Sequence, residues 1–253
     1  MPDHSTTHPL IQAYRSVRVV THTLVGLTLT VTIVPICNHS TKQRLTRWWC
    51  ARLLKCFNIQ VTTYGQTPGR CVSGKLFVAN HISWVDIHAL NSVLPLCFVA
   101  KSEIKQWPVL GYLASKSGTL FIDRSHRKGA VHIIEILRQH LQHGFNACYF
   151  PEGTTTEGTH VLPFKGSIMQ AALSIHAEIV PVAIRYPLAH QKIDTRLAYA
   201  GNTTLIESIR NILRIPSPSV ELHFLDTIET KNQSRRNVNK LAEQAINEHL
   251  GFS

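Results

Sequence analysis

One short segment of the sequence holds the residue types that acid–base chemistry requires. In NHISWVD (80–86), His81 and Asp86 are five positions apart. A neutral imidazole is a suitable base for a hydroxyl near neutral pH. A carboxylate bonded to its other nitrogen fixes the tautomer and stabilises the imidazolium that forms. The chain has fifteen histidines, so the pair alone also fits an ordinary surface or core histidine.

Other catalytic signatures are missing from the sequence. There is no G-x-S-x-G elbow, no H-E-x-x-H and no P-loop, so no serine or cysteine is singled out as a covalent nucleophile. The six cysteines form no C-x-x-C pair, which indicates small core residues in a reducing compartment and no metal site. If His81 is a base, the nucleophile is the substrate's own hydroxyl. This indicates group transfer by direct attack.

The region from Lys75 onward alternates short apolar strands with amphipathic helices. Strands are predicted at 75–79, 97–100, 119–122, 146–150, 179–185 and 220–225. Helices are predicted at 85–94, 128–143, 165–176, 203–213 and 235–250. The alternation predicts an α/β fold, a single domain with a mixed or largely parallel sheet flanked by helices.

Two polar segments directly follow predicted strands. NHISWVD follows KLFVA, and PEGTTT (151–156) follows NACYF. Ligands of such sheets bind beyond the carboxyl ends of strands. We therefore expect both segments to contribute to one site.

The N-terminal third is apolar and then cationic. Residues 19–41 contain no Lys, Arg, Asp or Glu, and this length can span a bilayer as a helix, a buried helix being the alternative. The following segment, 41–58, places Trp48 and Trp49 beside a basic stripe, which suits a membrane interface, with an ordinary packed helix as the alternative. We therefore assign residues 1–60 to a membrane-anchoring or interfacial helical segment and 61–253 to the catalytic α/β domain.

The charge distribution agrees with a lipid partner. Residues 1–85 hold nine Lys and Arg and one acid, within a chain of net charge +11. Anionic headgroups and nucleic acid phosphates both attract such a surface. The cationic helix adjoins the apolar segment, so membrane lipid explains both features with one partner and nucleic acid does not.

Four segments in order resemble the glycerolipid acyltransferase family, typified by 1-acyl-glycerol-3-phosphate acyltransferases. They are NHISWVD, GTLFIDR (118–124), FPEGT (150–154) and IVPVAI (179–184), and Lys101 and Glu103 also resemble the segment between the first two. An ordered set of this kind is far more specific than any single motif.

The resemblance implies a role for each matching residue. His81 and Asp86 form the catalytic dyad, and the acceptor hydroxyl attacks a thioester of acyl carrier protein or coenzyme A. Glu152, Gly153 and Thr154 shape the acceptor site, while Lys101 and Arg124 neutralise an acidic headgroup. No cofactor or metal is expected to be bound. The implied location is the bacterial inner membrane, with the catalytic domain on the cytoplasmic side.

One departure from the family bears on the acceptor. The third motif often continues with an Arg associated with the acceptor phosphate, whereas position 155 here is Thr. The expected acceptor is 1-acyl-glycerol-3-phosphate, giving phosphatidate, with lyso-ornithine lipid or another lysolipid as the alternative. Lys165 is a candidate to replace the charge. A non-catalytic membrane lipid-binding protein is the less favoured reading, because His81 and Asp86 are both present.

Overall fold

The computed structural model describes residues 6–66, 73–107, 109–122, 127–188 and 192–252. The helices are α1 (Pro9–Thr32), α2 (His39–Cys56), α3 (Trp84–Val93), α4 (Leu110–Lys116), α5 (Arg127–Gln142), α6 (Gln170–Leu173), α7 (Leu205–Arg214) and α8 (Arg235–Leu250). The strands are β1 (Gln60–Gly65), β2 (Leu76–Ala79), β3 (Cys97–Lys101), β4 (Leu120–Ile122), β5 (Ala147–Tyr149), β6 (Ile179–Arg185), β7 (Pro187–Leu188), β8 (Lys192–Ile193) and β9 (Ser219–Phe224).

Seven strands form one twisted sheet in the order β1-β9-β6-β2-β5-β3-β4. Neighbouring strands are parallel, except that β6 and β9 are antiparallel. A largely parallel sheet is buried on both faces, and this explains why β2 reads as the continuous apolar run LFVA, with all four residues buried. The predicted α/β class with a mixed, mostly parallel sheet is confirmed.

Two apolar layers enclose the sheet. On one face, α2, α3 and α7 pack on side chains such as Phe77, Val182 and Leu222. On the other face, α5, α6 and α8 pack on Val78, Ala183 and their neighbours. Alternation along each strand sends successive side chains to opposite layers. The sheet is therefore fixed from both sides, and only its edges and strand ends remain for binding.

The two N-terminal helices pack on this domain. The buried guanidinium of Arg15 donates to the carbonyl oxygens of Ile215 and Pro216, at 2.8 and 2.7 Å. Between the helices, a Cβ added to Gly26 would lie 2.3 Å from Nε1 of Trp49, so only glycine permits this close approach. Leu53 and Leu54 of α2, and Phe57 directly after it, belong to the same core as the sheet. The division of the chain at residue 60 stays a prediction.

The prediction of a bilayer-spanning N-terminal helix is not supported. In the described ranges, no helix reaches the combined length and apolarity that crossing a membrane requires. The helix that includes the start of the apolar segment 19–41 ends at Thr32, and residues 19–32 contain five threonines. Those hydroxyls and Arg15 and Arg18 within the same helix lower its mean hydropathy.

Candidate active site

The site lies at the carboxyl ends of β2 and β5. These two strands pair in parallel, with Val78 opposite Tyr149, so the loops that follow them leave the sheet at the same edge. The first loop carries His81 and leads into α3, and the second carries the segment that begins at Phe150. Both polar segments therefore lie at the same end of neighbouring strands.

His81 and Asp86 meet across the turn into α3. Nδ1 of His81 lies 2.8 Å from Oδ2 of Asp86. The Asp86 side chain is fully buried, while the His81 side chain is 17% exposed. An ionised carboxylate accepts only, so Nδ1 carries the proton and Nε2 is left free to accept one. The pair therefore has the geometry of a base and its orienting acid.

Four donors surround the Asp86 carboxylate. Besides Nδ1 of His81, Oδ2 accepts the backbone N–H groups of Ile82 and Ser83, at 2.7 and 2.9 Å. Oδ1 accepts the hydroxyl of Tyr186. Asp86 also stands in the first turn of α3, where the helix dipole favours negative charge. These contacts offset the cost of burying a carboxylate.

The loop after β5 forms hydrogen bonds with both the backbone N–H and the backbone carbonyl of His81. Oε1 of Glu152 accepts the N–H of His81 at 2.7 Å, and the N–H of Thr156 donates to the His81 carbonyl at 2.9 Å. The imidazole stacks on the Phe150 ring, with centroids 3.8 Å apart and planes inclined by 8°. The third motif therefore positions the base of the first motif.

The buried side chain of Glu152 forms hydrogen bonds with two loops. Its other oxygen, Oε2, accepts the N–H of Leu162 at 2.9 Å, and the residue is 2% exposed. Burial raises the pKa of its carboxyl to about 7, although its two amide hydrogen bonds oppose the shift. Both carboxylate oxygens face backbone amides. The structure thus places Glu152 behind the base, where it orients His81.

The end of β2 is tied to β6 by Asn80. Its Nδ2 donates to the Ile184 carbonyl at 3.0 Å, and its Oδ1 accepts the Ile184 N–H at 2.7 Å. The same strand, β6, leads directly to Tyr186. The fourth motif therefore fixes the position from which His81 leaves the sheet and also delivers a donor to Asp86.

The remaining predicted site residues are placed less centrally. Gly153 has φ of +76° and its N–H donates to the Phe150 carbonyl at 3.2 Å, so this amide is engaged within the turn. Thr154 is exposed beside it. Lys101 is exposed at the carboxyl end of β3, two strands from β2 on the same edge. Arg124 lies outside the described residues.

The side chain at position 155 forms a hydrogen bond within the protein. The hydroxyl of Thr155 donates to the carbonyl of Tyr199, and the Tyr199 N–H donates to the carbonyl of Ile82 at 2.9 Å. Lys165 is exposed, and its backbone N–H bonds the Pro151 carbonyl. The side chain at 155 thus supports the loop that lies against the catalytic segment and supplies no cation.

Sequence reasoning missed three contributors to the dyad: Asn80, Phe150 and Tyr186. Asn80 and Phe150 belong to the first and third motifs, but the motifs do not indicate what their side chains contact. Tyr186 follows the fourth motif by two residues and meets Asp86 one hundred residues earlier. A tyrosine directly after a buried strand is a weak signal for such a contact. Among the described residues, no three His, Cys, Asp or Glu side chains are grouped to hold a metal.

Known proteins resemble this chain over most of its length. Residues 58–185 match a family model described as acyltransferase. The chain is 37% identical over 205 residues to a lyso-ornithine lipid O-acyltransferase of Pseudomonas aeruginosa, covering 81% of this chain and 78% of that protein. It is 42% identical over 128 residues to a 1-acyl-sn-glycerol-3-phosphate acyltransferase of Neisseria gonorrhoeae, covering 51% and 50%.

The fold is shared with a solved structure. A 1-acyl-sn-glycerophosphate acyltransferase from Thermotoga maritima superposes with a TM-score of 0.66 at 19% identity. The likeness covers 94% of this chain and 96% of that one. It therefore includes the N-terminal helices as well as the sheet.

Proposed function

Since the chain belongs to the glycerolipid acyltransferase family, we propose that its dyad transfers a fatty acyl group from a thioester to the free hydroxyl of a lysolipid. The enzyme class, a glycerolipid O-acyltransferase, follows from the family. The hydrogen bond between His81 and Asp86 is the observation that carries the mechanism.

The mechanism uses one base and no covalent enzyme intermediate. Nε2 of His81 takes the proton of the acceptor hydroxyl as its oxygen attacks the thioester carbonyl. Asp86 holds the ring in position and stabilises the imidazolium. Collapse of the tetrahedral intermediate forms the ester and expels the thiolate, which takes up the proton from His81. The hydrogen bond from Nδ1 to Asp86 fixes the ring and leaves Nε2 free for these steps.

For the acceptor, we place a lyso-ornithine lipid ahead of lysophosphatidate. The similarity to a lyso-ornithine lipid O-acyltransferase extends over 81% of the chain, against 51% for the relative acting on 1-acyl-sn-glycerol-3-phosphate. Thr155 also provides no cation for a phosphomonoester. This order reverses the one expected from the motifs alone.

The donor and the location are also proposals. We propose acyl carrier protein or coenzyme A as the carrier of the thioester, and a membrane surface as the source of the acceptor. The exposed apolar side of α1 supports the second point, because Leu10, Tyr14, Val17 and Leu24 are each more than half exposed there.

A direct assay tests the proposal. The purified chain is given labelled acyl donors of both carriers, with a lyso-ornithine lipid or lysophosphatidate as acceptor. His81→Ala should lower turnover by roughly 10²–10⁴-fold while the protein stays folded. His132→Ala is the matched control, since His132 is exposed on α5. An active, folded His81→Ala enzyme contradicts the mechanism.

A further inference from the structure

A polar cleft opens beside the catalytic loop. It has a volume of about 150 Å³, enough for a small polar group and a few waters. Its lining combines one carboxylate with neutral side chains: Glu157, Thr195, Ala198, Ala200, Thr203 and Asn211. Two parts of the chain distant in sequence therefore form its walls: the end of the FPEGTTTEG loop, and α7 with the connection that leads into it.

Both walls are hydrogen-bonded to the catalytic segment. The N–H of Thr156, next to Glu157, donates to the carbonyl of His81 at 2.9 Å. The N–H of Tyr199, between Ala198 and Ala200, donates to the carbonyl of Ile82 at 2.9 Å. Adjacent Cα atoms are about 3.8 Å apart, so the Cα atom of Glu157 is at most roughly 10 Å from that of His81. We therefore expect a headgroup in the cleft to be within reach of a hydroxyl held at His81.

The polar side chains of the cleft have no hydrogen-bond partners among the described residues. Across the described parts of the chain, the side chains of Glu157, Thr195, Thr203 and Asn211 make no hydrogen bond or ion pair. Other acids of this region are engaged, because Glu152 binds two amides and Asp194 pairs with Arg196. The cleft thus offers several free acceptors around a single negative charge.

We infer that this cleft binds the primary ammonium group of an acceptor headgroup, with Glu157 as its counter-ion. The inference rests on the proposed function and identifies a residue that selects the acceptor. An ammonium group has three donors and no acceptor, which matches the Glu157 carboxylate, the Asn211 amide oxygen and a threonine hydroxyl. Ornithine ends in such an amine, whereas a phosphomonoester is dianionic and is repelled by Glu157.

Thr155 and Glu157 of the third loop then act together. Thr155 supplies no cation for a phosphate, and Glu157 supplies an anion two positions further on. A site can discriminate between substrates by attracting one headgroup, by rejecting the other, or by both together. The loop therefore favours amine-bearing acceptors at both positions.

The test measures acceptor specificity for the full chain with Glu157→Gln, which keeps the shape and removes the charge. The wild type should use a lyso-ornithine lipid better than the same lipid with its free amine acetylated. Glu157→Gln should lower kcat/KM for the free-amine lipid about tenfold, as expected for a lost charge-assisted hydrogen bond. The variant should use the acetylated lipid as well as the wild type does, and lysophosphatidate at least as well.

Glu229→Gln is the control, because Glu229 is exposed and lies far from the catalytic loops. Its neighbour Ile228 pairs with Ile179, the first residue of β6, at the end of the sheet opposite to the site. Equal losses on all three acceptors, or no loss on the free-amine lipid, overturn the inference. If Glu157→Gln does not fold, the wild-type comparison decides: equal use of the free and acetylated lipids overturns the inference. A wild type that acylates none of the three acceptors contradicts the proposed function instead.

Discussion

The buried carboxylate of Asp86 illustrates how single residues are prepared for catalysis. Its four donors leave it no freedom to rotate, so the tautomer and direction of the His81 ring are set before any substrate binds. Such preorganisation avoids a reorganisation cost at the moment of reaction. Tyr186 is the only one of these donors that comes from outside the catalytic segment, and so it can be removed selectively.

Replacing Tyr186 with Phe should lower kcat about tenfold with little change in the KM of either substrate. The variant removes one donor to a charged group, which also costs about 1.5–3 kcal/mol of stability. Kinetics and urea denaturation measure the two effects. Tyr149→Phe is a matched control, because the buried Tyr149 hydroxyl has no hydrogen-bond partner among the described residues. Unchanged kcat in a folded Tyr186→Phe enzyme would remove Tyr186 from the positioning of the dyad.

Replacing Thr155 with Arg should shift specificity towards lysophosphatidate. The new guanidinium supplies a charge-assisted and bidentate contact for a phosphomonoester, worth roughly one to two decades in the ratio of specificity constants. The lost bond to the Tyr199 carbonyl lowers stability modestly. Acceptor kcat/KM is measured beside Thr159→Arg, an exposed position in the same loop. Equal shifts in both variants would show that position 155 does not read the headgroup.

At the scale of elements, sequence patterns located most of the sheet. The predicted bounds of β6 and α8 agree with those observed, because both have strong apolar periodicity. Strand β1 was missed: it is an edge strand with an exposed, polar face reading QVTTYG. The helix predicted at 165–176 is a 3₁₀ turn followed by only four α-helical residues. The H-x4-D pair was visible because it is local, whereas the contacts of Asp86 with Tyr186 and of His81 with Glu152 exist only after folding.

Glu152 connects two loops and should make stability depend on pH. Its pKa is about 7 when folded, against an ordinary value of 4.5. Between these values the folded chain keeps a proton that the unfolded chain releases, so the free energy of unfolding falls as pH rises. The contribution is full below about pH 4.5 and lost by about pH 7, and it amounts to about 3 kcal/mol.

Glu152→Gln should flatten that dependence. Urea denaturation at several pH values between 4.5 and 7.5 measures the slope for both proteins. The introduced side-chain amide would place its NH₂ group against a backbone N–H that now donates to Glu152. The variant is therefore less stable at every pH, and the slope of stability against pH is the decisive quantity. Glu229→Gln should keep the wild-type slope. The same slope in Glu152→Gln and wild type would assign the pH dependence to other groups.

At the scale of the whole molecule, α1 has two distinct sides. Arg15, Gly26 and Thr30 are buried against the domain. Leu10, Tyr14, Val17, Leu24 and Val31 follow one another at three- to seven-residue spacing and are 58–75% exposed. A row of exposed apolar side chains on one helix face indicates an interaction surface. Exposed Arg44, Arg47 and Arg52 on the neighbouring α2 add positive charge to the same end of the chain.

These features predict binding to vesicles that contain anionic lipid, through both apolar burial and headgroup attraction. Replacing Tyr14, Val17 and Leu24 together with Ser should lower the vesicle partition coefficient at least tenfold, since each side chain loses part of the 1.5–3 kcal/mol available from burial. Stability should change little, because all three are exposed.

Raising the salt from 0.1 to 1 M shortens the Debye length from about 10 to 3 Å, and should weaken wild-type binding without abolishing it. Leu241→Ser, an exposed apolar position on α8, is the control. Complete release of the wild type by salt, or unchanged binding of the triple variant, would show that α1 does not enter the membrane interface.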